Sequence, residues 1–142
     1  MNQLRMSKKS KQSPGLTNKQ ALVMNLLGKT KGPLSAYAIL DQLHDSGFRG
    51  PVQVYRALEK LMELGLVHRL ESLNAFVACQ QRTCDHQSKK TIIFTICEIC
   101  ASVQELVNNG LEHLVRSLEK DIDFLTNRSV IELKGICSTC KD

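Results

Sequence analysis

The residues best placed to do chemistry in this chain are six cysteines and four histidines, and four of the cysteines fall into two matched pairs. Cys97 and Cys100 sit in ICEIC, and Cys137 and Cys140 repeat the C-x-x-C spacing in CSTC near the last residue. Pairs of this kind serve as redox couples, as halves of a disulfide framework, or as thiolate ligands of a metal. A tetrahedral zinc takes four sulfurs at ~2.3 Å, and each C-x-x-C turn supplies two of them from one tight bend. The 36 residues between Cys100 and Cys137 exceed a zinc-ribbon gap, but a strand, a helix and a strand fit within them.

The polar, basic start MNQLRMSKKSKQ lacks the apolar centre of a secretory signal, and no apolar run approaches the ~20 residues of a membrane span. A cytoplasmic location is therefore expected, and in a reducing compartment paired thiols are more often metal ligands than structural disulfides. A thioredoxin-like couple needs a βαβ unit with its thiols at a helix start. Here a second pair waits at the end of the chain instead. The spacing thus predicts structural zinc on Cys97, Cys100, Cys137 and Cys140. No Ser/His/Asp constellation, phosphate loop or paired carboxylates suggest an enzyme, and no small-molecule substrate is expected.

These ligands must be positioned by ordinary elements. Thr17 and Gln20 in LTNKQALVMNLLGKT have capping-box spacing, and Leu22, Val23, Leu26 and Leu27 make a helical stripe over about 17–30. Pro33 interrupts it, and Ser35 caps a second helix with Ala38, Ile39 and Leu43 inward and Gly47 at its end. Pro51 opens a third helix with Val54, Leu58 and Leu61 on its buried face, and Gly65 stops it. LVHRLESLNAFVAC then alternates around a polar ESLN turn, which predicts two strands and a hairpin. Three helices followed by a two-stranded wing is the order of a winged helix-turn-helix.

Charge agrees with that order. Residues 1–78 hold 11 Lys/Arg against 5 Asp/Glu, a net of +6, while residues 79–142 hold 8 against 9, a net of −1, together the chain's +5. The positive excess lies where a module meeting a polyanion needs it. On the third helix, Gln53, Arg56 and Lys60 fall opposite Val54, with Tyr55 on the flank. An arginine for guanine edges, a glutamine for adenine and ring surface for thymine methyls suit a helix in the major groove. An isolated helix with Arg56 and Lys60 paired to Glu59 and Glu63 would be only a solvated face.

In the second half, IIFTI is a β-rich strand and SVIELKGI another. Between them QELVNNGLEHLVRSLEKDIDFL carries Leu106, Val107, Leu111, Leu114, Val115 and Leu118 as a helical stripe, which places Glu105 early on a long helix. The expected fold class is α+β: a basic leader (1–14), a winged-helix DNA-binding domain (15–79), a hinge loop (80–91) and a small zinc-binding α/β dimerisation domain (92–142). The apolar stripe is wide for so small a sheet, which a homodimer partner or the subunit's own core would equally well cover. The leader, with Arg5, Lys8, Lys9 and Lys11, is expected to be disordered without DNA.

VYRALEKLMELGLVHRLES resembles the recognition helix and wing of the ferric uptake regulator family, and ICEIC with GICSTC resembles that family's dimerisation domain with its structural zinc. The resemblance spans about residues 16–140, and the chain is most similar to the family's zinc-responsive members. It implies a second, regulatory zinc on His68, Cys79, His86 and Glu105, one structural and one regulatory ion per subunit. Taken singly, each of these residues has a plainer reading as a solvated or small core side chain. Cys84 could replace Cys79 or His86, or be a loop thiol open to oxidation.

Iron-responsive members carry a His-rich hinge and a further histidine before the last strand, where this chain has CQQRTCDHQSKK and TNRSVIE. A thiolate in the sensing set favours zinc over Fe(II), and no third metal site is expected. The implied function is a zinc-responsive repressor that binds operator DNA as a dimer and shuts off zinc acquisition. Regulation by iron or another metal, by peroxide or by thiol redox state on the same fold is the alternative.

Overall fold

A computed structural model describes residues 15–80 and 91–141 of the chain. The leader at 1–14 and most of the hinge, including Cys84 and His86, lie outside the described residues. Helix α1 (Asn18–Lys29) starts from Thr17, whose hydroxyl accepts the Gln20 N–H while the Gln20 side chain accepts the Thr17 N–H. Two of the first turn's orphan donors are satisfied this way. Helix α2 (Ala36–Leu43) is capped by Ser35, whose hydroxyl accepts the Ala38 N–H at 3.1 Å. Ala36, rather than Ala38, is its fully buried alanine.

A short 3-10 turn (His44–Ser46) follows α2, and Gly47 exits at φ +93°. That is left-handed backbone which a Cβ disfavours. Helix α3 (Pro51–Glu63) has proline in its first turn and buries Val54, Ala57, Leu58 and Leu61 against α1 and α2. Gly65 at φ +62° turns the chain directly into β1.

Strands β1 (Val67–Leu70) and β2 (Ala75–Ala78) pair antiparallel around the ESLN turn. Leu34 adds a backbone bridge to Phe76, tying the α1–α2 connection to the wing. One core unites Val23, Leu27, Ile39, Phe48, Val54, Leu58, Leu61, Val67 and Phe76.

The C-terminal sheet has the order β4-β3-β5, with β3 (Ile92–Cys97) central. It pairs antiparallel with β4 (Val103–Leu106) and parallel with β5 (Val130–Gly135). The long helix expected from residue 104 is therefore corrected. Residues 103–106 are an edge strand, and helix α4 covers only Asn109–Asp121. The reason is local. Asn108 accepts the Leu111 N–H as an N-cap, and Val103 and Glu105 alternate inward with Gln104 and Leu106 outward, the period of a half-buried strand. Leu106 and Val107 consequently do not belong to a helical stripe, and Glu105 stands on a strand.

Helix α4 has no fully buried residue, and Leu114, Leu118, Ile122, Phe124 and Leu125 are all largely exposed on it or just after it. The wing and the sheet meet through a second core of Leu70, Val77, Phe94, Ile96 and Val103. The Glu132 carboxylate reaches across to accept the Ser72 N–H of the wing turn at 3.3 Å.

Two stability outcomes follow. Leu58→Ala removes a side chain with no exposed surface and should cost about 2–5 kcal/mol in urea denaturation. The Glu112 carboxylate accepts the Thr91 N–H and pairs with Arg116, which hold its pKa below the usual carboxylate value against the effect of burial. Glu112→Ala should therefore cost roughly 1 kcal/mol at pH 7. Because the folded pKa is the lower one, the difference is present above the ordinary carboxylate pKa and should vanish as pH falls through the lowered value.

Candidate metal centres and nucleic-acid interface

Cys97 ends β3, and the turn after it carries Cys100; Cys137 and Cys140 occupy the turn after β5. Since β3 and β5 are parallel neighbours with Cys97 opposite Gly135, both turns leave the same end of the sheet. All four sulfurs lie within 4.8 Å of one another, with Cys100 and Cys137 at 3.7 Å. Four sulfurs bound to one tetrahedral zinc stand ~3.8 Å apart. All four are free thiols.

The surroundings suit thiolates. The Cys137 N–H points at Cys97 Sγ at 3.4 Å, and Ser102 Oγ lies 3.1 Å from Cys100 Sγ. The N–H groups of Cys100, Cys137 and Ile99 lower the Cys97 thiol from 9.0 to about 6, against burial. Hydrogen bonding to Cys137, with burial, pushes the Cys140 thiol up to about 12. Negative charge crowded into one pocket is what a divalent cation relieves.

The second cluster lies at the seam between wing and sheet. His68 on β1, Cys79 just after β2 and Glu105 on β4 bring their ligand atoms within 4.8 Å. His68 Nε2 is 3.5 Å from Glu105 Oε1, and Cys79 Sγ is 3.7 Å from the same oxygen. Mixed N, S and O ligands of tetrahedral zinc stand ~3.3–3.6 Å apart, so this set fits the ion. His68 and Glu105 are only 6% exposed, and His68 Nε2 has no hydrogen bond among the described residues. A buried imidazole nitrogen beside a carboxylate oxygen, with no well-formed hydrogen bond among the described residues, is a polar atom placed for a cation.

Burial raises the Glu105 pKa, but His68 and the Gln80 N–H outweigh it and keep the carboxyl ionised below its usual range. The His68 ring is steadied by Phe94 of β3 at 5.5 Å. Cys79 is half-buried at the end of the wing, with its sulfur turned toward the Glu105 carboxylate. The expected fourth partner, His86, lies outside the described residues.

On α3 the outward stripe is Val52, Tyr55, Arg56, Glu59, Lys60 and Glu63, all exposed. Arg56 makes no ion pair among the described residues, whereas Lys60 pairs with Glu63 at 3.3 Å. Gln53 sits differently from the reading face expected of it. It is half-buried, and its side-chain oxygen accepts the Arg49 N–H at 2.9 Å. Adenine recognition uses both the oxygen and the nitrogen of the amide, so Gln53 would have to share that oxygen. Val52, 60% exposed and one turn before Tyr55 and Arg56, adds apolar surface to the same face of the helix.

The chain as a whole resembles known proteins. The Zinc uptake regulation protein of Escherichia coli (strain K12) is 35% identical over 126 residues, covering 88% of this chain and 72% of that protein. The chain belongs to the zinc uptake regulator family. A solved zinc uptake regulator complexed with zinc and DNA matches with a TM-score of 0.81 at 34% identity, covering 89% of this chain and 83% of that one. Holo XcZur matches at 0.77 and 34% identity, covering 88% and 85%. No protein-family model matches. The helices and small sheets of the chain share the α+β fold of these family structures. No helix among the described residues is long and apolar enough to cross a membrane.

If the four thiols hold one ion, Cys100→Ser should lower the zinc content of purified protein by about one equivalent. It should also remove much of the on the order of 10 kcal/mol that a structural zinc adds to folding, seen as early melting of the C-terminal sheet.

Proposed function

We propose that the protein is a zinc-responsive transcriptional repressor that grips operator DNA as a homodimer when zinc-loaded and represses genes for zinc uptake. The observation that carries this reading is the His68–Cys79–Glu105 cluster, with His68 and Glu105 buried and Cys79 half-buried, whose members come from both sides of the junction between wing and sheet. His86 is proposed as the fourth regulatory ligand, and Cys97, Cys100, Cys137 and Cys140 as the structural zinc site, one ion of each kind per subunit. The likeness to a relative solved with both zinc and DNA supports the same reading.

The chain's own residues explain how the junction reaches DNA. His68 stands on the strand that α3 enters through Gly65, so holding His68 against Glu105 holds the recognition helix against the C-terminal sheet. When bound, zinc supplies a cross-link among ligands from the two sides. Residues 92–142 would form the dimerisation domain and 15–79 the reader, with 80–91 as hinge. Exposed Leu114, Leu118, Ile122, Phe124, Leu125 and Leu133 form an apolar surface suited to a second subunit. In a dimer, fixed junctions would set two copies of α3 at the ~34 Å spacing of successive major grooves. Arg56, Tyr55, Lys60 and, after release from Arg49, Gln53 are the proposed DNA contacts.

Two measurements test this. DNA affinity across a buffered free-zinc series should rise about a hundredfold for the wild type, which corresponds to ~2.8 kcal/mol. For His68→Ala the curve should be flat and low while the structural zinc is retained. An unchanged zinc response in that variant would remove the proposed sensing site. Arg56→Ala should cost about 1–3 kcal/mol on the cognate operator and relax base preference, whereas Lys60→Ala should weaken all sequences alike.

A further inference from the structure

The residue after Cys79 makes an unusual set of contacts. The side-chain amide of Gln80 lies along the outer edge of β4: its Nε2 donates to the Val103 carbonyl at 3.1 Å, and its Oε1 accepts the Glu105 N–H at 3.2 Å. Its backbone N–H donates to Glu105 Oε2 at 3.0 Å. The amide thus pairs with the edge strand as one residue of an added strand would. The backbone bond takes one carboxylate oxygen and leaves the other, Oε1, facing His68 and Cys79.

From this geometry we propose that Gln80 is a positioning residue for the junctional metal site: its side-chain amide fixes the β4 edge, which keeps its own backbone N–H within reach of Glu105 Oε2 and so holds the carboxylate in ligating orientation. The proposal rests on the reading of His68, Cys79 and Glu105 as regulatory ligands. Gln80 binds no metal itself. It ties the end of the wing, where Cys79 sits, to the strand that carries Glu105, so two ligands from opposite sides are held in register. A carboxylate free to rotate would have to be ordered on binding, and the lost freedom would weaken affinity. Groups that orient ligands by hydrogen bonds typically change metal affinity 10–100-fold when removed.

Four proteins separate the outcomes: wild type, Gln80→Ala, Gln80→Glu and His68→Ala, all reduced and keeping structural zinc. Competition with a chromophoric chelator measures zinc affinity at the regulatory site, and amide hydrogen exchange follows Glu105 in protein stripped of that zinc. For Gln80→Ala, zinc affinity should fall at least tenfold and the Glu105 amide should exchange faster. DNA affinity at saturating zinc should stay within twofold of wild type, and the free-zinc midpoint of DNA binding should shift by the same factor as the zinc affinity. Gln80→Glu, which keeps the acceptor but loses the donor to Val103, should also fail to restore the wild-type midpoint.

If His68→Ala weakens zinc binding while Gln80→Ala leaves it within twofold, the positioning role is wrong and the regulatory reading stands. If neither substitution changes zinc affinity, the regulatory reading itself fails. Equal losses of zinc affinity, thermal stability and saturated DNA affinity in Gln80→Ala would mark Gln80 as general scaffolding and overturn the proposal.

Discussion

An imidazole and a carboxylate are buried face to face where the wing meets the C-terminal sheet, and the arrangement of both halves is constrained by them. His68 and Glu105 are nearly excluded from solvent, and His68 Nε2 has no hydrogen bond among the described residues. Burying charged and polar groups costs several kcal/mol unless each finds a partner. Leu70 and Val77 from the wing, packed with Phe94, Ile96 and Val103 of the sheet, supply the apolar contact that brings the groups into this position. Hydrophobic burial thus draws the two halves together, and the polar cluster specifies how they meet.

That specification passes along a short mechanical path. Only Leu64, Gly65 and Leu66 separate the end of α3 from β1, and the Gly65 turn is set by its left-handed backbone. β1 is in turn bonded along its length to β2, and β2 is bridged through Phe76 to Leu34 before α2. Displacing His68 relative to Glu105 therefore displaces the three-helix body as a unit. The Ser72–Glu132 bond gives the wing turn a second contact with the sheet, more exposed than the buried cluster.

The C-terminal half is held together differently. Its sheet has three strands, and α4 leaves Leu114 and Leu118 largely exposed with no residue fully buried, so the described chain alone builds little core there. Two cysteine turns leaving the same end of parallel β3 and β5 concentrate four thiols into a volume that matches one tetrahedral ion. In small units a metal cross-link commonly substitutes for apolar burial. The exposed apolar side chains around α4 are the complementary feature, an area that a second subunit can cover.

Much of this was legible in the primary structure because it depends on local rules. Capping by Thr17 and Ser35, proline at the start of α3, the Val54–Leu58–Leu61 stripe and the alternation around ESLN all act within one or two turns of chain. The cysteine pairs were legible for the same reason, since each turn needs only its own two residues. Cys84 and His86 lie outside the described residues, so the expected part of His86 in the site rests on the sequence and its resemblance to the family. Tertiary structure decided the matters in which distant residues compete. Residues 103–106 have apolar members at a spacing that suits a helix, but pairing with Ile93–Ile96 makes them a strand and turns Glu105 inward. Gln53, on an outward face by periodicity alone, is drawn back by the Arg49 N–H. No spacing marks Gln80, because its partners are backbone atoms of a strand more than twenty residues away, brought beside it only when wing and sheet pack.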